Sequence, residues 1–102
     1  MRAEKAMRKV KKELTTELVI PAATIRPGVF GYNVYQLQCC LDHILKYRGK
    51  KCLHTQEPAH YGPNTMKAVR DFQAKYGLFI NGIYSPCTRL RIKEVLDADR
   101  GV

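Results

Sequence analysis

Apolar residues recur at helical spacing in three stretches of this chain, each bounded by residues that start or stop a helix. In the first, Val34, Leu37, Leu41, Ile44, Leu45 and the stem of Arg48 fall on one face. Asn33 stands where its side chain can accept a hydrogen bond from a free backbone N–H, and Gly49 stands where the helix would end. The second stripe is Thr65, Ala68, Val69, Phe72 and Tyr76. Pro63 sits in its first turn, where a missing N–H has no intrahelical partner to lose, and Gly77 supplies a left-handed stop. The third is Thr88, Ile92, Val95 and Leu96, with Ser85 as cap, Pro86 as first residue and Leu90 on the opposite face. Residues 50–60 read as a polar loop. Three amphipathic helices with no strand pattern between them predict an all-α bundle.

A pattern written twice organises the second half. Tyr61-Gly62-Pro63-Asn64-Thr65 returns as Tyr84-Ser85-Pro86-Cys87-Thr88, and each copy follows a turn and opens a helix. Between them runs Ala68-Val69-Arg70-Asp71-Phe72-Gln73, closed by Gly77-Leu78, and a related element, Gly31 to Leu41, lies upstream with Leu37-Gln38 at its centre. Read in order, Leu37-Gln38, Gly62-Pro63-Asn64-Thr65, Ala68-Val69, Phe72-Gln73, Gly77-Leu78, Asn81-Gly82 and Pro86-Cys87-Thr88 resemble the signature of the peptidoglycan-binding-like domain. The resemblance spans Gly31 to Leu96. It implies a compact three-helix bundle that holds cell-wall glycan or peptide stems and leaves catalysis to a neighbouring domain. The chain departs from the pattern at Pro58-Ala59, where an acidic-glycine turn is usual, at Ser85 in place of glycine, and at Arg91 in place of a small residue. On this reading residues 1–30 are a basic extension and linker, 31–97 the domain and 98–102 a tail.

Charge adds a second line. Lysine and arginine number 18 against 9 acidic residues, for a formal net charge of +9. Six of the eleven residues from Arg2 to Lys12 are basic: Arg2, Lys5, Arg8, Lys9, Lys11 and Lys12. With Lys46, Arg48, Lys50 and Lys51 they form a candidate surface for RNA or an acidic protein, bound by counterion release. Tyr32, Tyr35 and Tyr47 are available for stacking, but their spacing matches no known nucleic-acid reader. The alternative function is therefore an interaction or assembly protein that reuses the fold. The apolar run from Leu18 to Ala23 is too short to span a membrane, and Glu13 and Glu17 interrupt it as a signal segment. The expected location is intracellular or organellar unless another route exports the chain.

Candidate chemistry is sparse. Ser85, the sole serine, is accounted for as a helix cap, with no strand–turn–helix elbow around it. Cys40 lies at the edge of the buried stripe, whereas Cys39 and His43 point to solvent; the neighbouring thiols Cys39 and Cys40 are too close for a bridge. Cys52, His54, His60 and Cys39 are conceivable zinc ligands, but the usual paired spacing is missing, so no metal, cofactor or catalytic residue is assigned. The candidate ligand site rests on the loops that open the second and third helices. There unpaired N–H groups and the positive helix end favour carboxylates, and Tyr61, Asn64, Thr65 and Arg70 would surround them.

Overall fold

The computed structural model describes residues 18–99. Among them are four α-helices: α1 (Tyr32–Leu45), α2 (Leu53–Gln56), α3 (Pro63–Lys75) and α4 (Pro86–Asp99), with a 3₁₀ turn at Gly49–Lys51 before α2. The three long helices are the three that the hydrophobic pattern predicts. Their inner faces meet in one core, where Val34, Leu37, Leu41, Ala68, Val69, Phe72, Ile92 and Leu96 are almost wholly buried. The expectation of a three-helix bundle needs one correction, because the segment read as a polar loop contains α2. Four residues cannot sustain a helix on propensity alone. This one is held from outside, by the Asp42 carboxylate of α1, which accepts the backbone N–H of Leu53 at 2.7 Å and of His54 at 3.4 Å.

Two helix ends also differ from expectation. Asn33 lies inside α1, whose N-cap is Gly31; the Gly31 carbonyl accepts from Val34 N–H and Tyr35 N–H. At the other end α1 stops at Leu45 instead of Gly49. Lys46 takes the left-handed conformation with φ 61°, and Lys46 and Tyr47 both donate to the Asp42 carbonyl. The chain thus turns a few residues early, and Arg48, expected to lend its stem to the core, is exposed and bonds the Tyr47 carbonyl. Gly77 does close α3 in the left-handed region, at φ 71°.

The repeat is visible in three dimensions as a pair of glutamine staples. Gln38 is fully buried; its amide N–H donates to the carbonyls of Glu57 and His60 and to the Thr65 hydroxyl, and its oxygen accepts from Ala59 N–H. Gln73 repeats this on α3. It donates to Asn81 Oδ1, the Ile83 carbonyl and the Thr88 hydroxyl, and accepts from Asn81 N–H and Gly82 N–H. Each staple ties a long helix to the turn before the next long helix and to that helix's threonine. Buried amides this well satisfied fix one geometry, because any other leaves backbone groups unpaired.

The two repeat tyrosines lie below these staples, and the stretch read as a linker runs across both. Tyr61 donates to the Gly82 carbonyl and Tyr84 to the Pro21 carbonyl, each at 2.6 Å. Ile25 and Tyr84 exchange two backbone hydrogen bonds, while Tyr61 N–H reaches the Val29 carbonyl and Gly28 N–H the Tyr61 carbonyl. Ile25 itself is a core residue, 3% exposed. Leu18 and Ile20 also pack against the core, so the described part of the stretch read as a linker is joined to the packed body. Leu90 is 55% exposed, on the outer face of α4 as its position predicts.

Candidate functional site

The start of α3 is where the sequence places an anion site, and there the protein supplies the anion itself. Glu57, at the end of α2, accepts Asn64 N–H and Thr65 N–H at 2.8 Å each and the Thr65 hydroxyl at 2.9 Å. Burial opposes its charge, but these bonds, with Gly62 N–H, outweigh burial and hold the carboxyl below its ordinary range. Glycine at position 62 leaves room for this cap: a Cβ there would lie 2.7 Å from Glu57 Oε2 and push the carboxylate away. The free N–H groups of the helix end are consequently occupied.

The four residues proposed for the site part company in the structure. Tyr61 is 1% exposed and Thr65 is fully buried, so both face the core. Burial pushes the Tyr61 phenol well above its ordinary pKa. Arg70 is exposed farther along α3, its stem beside Gly82. Asn64 is exposed at the helix start, and it alone of the four lines a cavity of about 280 Å³ together with Tyr47, Lys51, Leu53, Gln56 and Lys67.

That cavity lies among the chain after α1, the short helix α2 and the first two turns of α3. Leu53 forms its buried floor. Lys67 holds Asp71 at 2.8 Å one turn along α3, a bond that leaves its charge intact and raises its pKa. Burial first, then the Asp71 charge, raises the Tyr47 phenol, which remains a neutral hydroxyl. Two cations, two amide side chains and one aromatic ring therefore line one concave surface. Such a set suits a ligand with carboxylate and amide groups. Lys51 was marked only as part of a basic cluster; Lys67 was not marked, although helical spacing puts it one turn from Asn64 on α3. Leu53 and Gln56 were not legible, because α2 exists only through its contact with α1.

Of the basic residues read as an alternative surface, Lys46, Arg48, Lys50 and Lys51 are exposed around the turn after α1. Arg2, Lys5, Arg8, Lys9, Lys11 and Lys12 lie outside the described residues.

Comparison with known proteins places this arrangement. The model of the family described as "Putative peptidoglycan binding domain" matches residues 30–92. The chain belongs to the peptidoglycan-binding domain family. The N-acetylmuramoyl-L-alanine amidase CwlL of Bacillus licheniformis is 34% identical over 70 residues, 69% of this chain and 19% of that protein. A second protein of that organism, named as a probable N-acetylmuramoyl-L-alanine amidase, matches at 34% over 70 residues and 20% of its length. The chain thus spans about a fifth of the length of these curated relatives. Among solved structures, the crystal structure of the SleB N-terminal domain superposes with a TM-score of 0.63 at 27% identity, covering 76% of this chain and 99% of that one. The matched segment is a binding module and not a catalytic domain. Among the described residues no helix is long and apolar enough to cross a membrane.

Proposed function

We propose that this peptidoglycan-binding module holds the wall through the cavity between the turn after α1, α2 and α3, with Lys51 and Lys67 facing stem-peptide carboxylates and Gln56 and Asn64 facing peptide amides. The observation that carries the reading is the self-capping of α3: with Glu57 on the helix end, the charge for an acidic ligand comes from the two lysines. Arg70, outside the cavity, contributes little. Co-sedimentation with insoluble peptidoglycan at physiological salt tests this. Lys51→Ala with Lys67→Ala is expected to weaken binding several-fold, Asn64→Ala less, and Arg70→Ala hardly at all. Binding that survives the double substitution, or that Arg70→Ala abolishes, removes the cavity from consideration.

A second reading is favoured by the exposure of Lys46, Arg48 and Lys50 around one turn in a chain of net charge +9. Here the turn docks RNA or an acidic protein. An RNA gel shift separates the two: phosphate binding through several lysines falls by orders of magnitude between about 50 and 200 mM salt. A shift of that kind, in the absence of wall sedimentation, would favour it.

A further inference from the structure

One cluster in the molecule is used neither by the core nor by the wall-binding cavity. Asp42 on α1, Cys52 just before α2 and His54 within it bring one oxygen, one sulfur and one nitrogen all within 4.8 Å of one another. Asp42 is 5% exposed, and its Oδ2 lies 2.6 Å from His54 Nδ1. The His54 ring packs edge-on against Tyr35 of α1, with ring centres 6.0 Å apart. Among the described residues no other three of His, Cys, Asp and Glu converge in this way. His43 meets only Asp99 at the surface, and His60 is stacked on Phe30 with ring centres 4.1 Å apart.

We propose that Asp42, Cys52 and His54 form a binding site for a zinc-class divalent cation. The donor set is the mixture of thiolate, imidazole and carboxylate that such an ion prefers. Zinc bonds to oxygen and nitrogen of roughly 2.0–2.1 Å place two tetrahedral ligands about 3.3 Å apart. The Asp42–His54 pair, now 2.6 Å apart across a hydrogen bond, must therefore open by less than about 1 Å. His54 has that freedom, since its side chain is 37% exposed, while Asp42 is held by Leu53 N–H. On binding, the cation takes the place of the shared proton: Cys52 releases its thiol proton to solvent, and the proton on His54 Nδ1 moves to Nε2. Three protein ligands leave a fourth position open toward the exposed side of His54.

The ion would tie the segment 46–57, which has little core of its own, to α1. The sequence hid this site because one ligand is an aspartate ten residues upstream of Cys52. His60, which the sequence grouped with Cys52 and His54, is elsewhere.

Cobalt titration of the reduced full chain tests the proposal, since a thiolate ligand gives Co²⁺ a charge-transfer absorption that zinc then displaces. A stoichiometric, saturable band is expected. Cys52→Ser should abolish it, and His54→Ala should weaken the ion by more than the roughly tenfold that losing an outer-shell partner costs. Cys87→Ser, an exposed thiol at the start of α4, should leave it unchanged. Far-UV circular dichroism checks that each variant is folded, and if Cys52→Ser is not, His54→Ala alone decides. The absence of a saturable band, its persistence in folded Cys52→Ser or at undiminished strength in His54→Ala, or its loss with Cys87→Ser overturns the site and marks adventitious thiol binding.

Discussion

The two glutamine staples do the same work in unlike surroundings. Gln38 reaches the His60 carbonyl across 22 residues, whereas Gln73 reaches the equivalent Ile83 carbonyl across 10. The twelve additional residues of the first half hold the 3₁₀ turn and α2, and with them Leu53, Gln56, the Cys52 and His54 partners of Asp42, and most of the cavity wall. The second half is the bare structural unit. It closes with a glycine, Gly82, at φ 74°, where the first half puts Ala59 at φ 56°. It also has no counterpart of Glu57, whose position in the repeat falls on the exposed Ile80. The contrast teaches that the same staple closes over a short turn or a long one, and that the added segment supplies what the proposed cavity needs in one half only.

The equivalence of the staples predicts the largest effects. Gln38→Ala and Gln73→Ala should each cost about 3 kcal/mol, because several buried N–H and C=O groups lose their partners at once. Urea unfolding with an unchanged slope measures this. A loss below about 1 kcal/mol in either variant would break the equivalence.

The closing turns come next. Gly82→Ala should cost about 2 kcal/mol, from the left-handed backbone and from a Cβ that would lie 2.9 Å from Met66 Cγ. The Glu57 cap is smaller and specific to the first half. Its carboxyl is held below the unfolded value of about 4.3, so its stabilisation is present above that pH and is lost as pH falls through the lower folded value. Glu57→Gln should cost about 1–2 kcal/mol at neutral pH and flatten this acid-side loss of stability, as thermal unfolding across the acid range would reveal.

The smallest effect has the opposite sign. Ala59→Gly should stabilise the chain by about 0.5–1 kcal/mol, the relief of a left-handed alanine less the entropy of the added glycine. A loss of stability there would mean that the alanine methyl makes a contact outweighing its strain.

The helices, their inner faces, the repeat and the family were legible in the sequence because each is a local signal: periodic apolar residues, prolines at first turns, and a glutamine and a threonine recurring in fixed order. Phe72 and Leu37 had to be core whatever surrounded them. The site was less legible. Thr65 reads at once as a stripe residue and as a ligand contact, and Asn64 and Lys51 as polar and basic, but that Tyr61 is bound inward depends on where Gly82 lies, on another element. The helix α2, the capture of the α3 end by Glu57 and the meeting of Asp42 with His54 were decided by tertiary structure alone. Each is a hydrogen bond or a turn formed between segments that share no local pattern, and such contacts acquire their free energy only when the core has already brought the segments together.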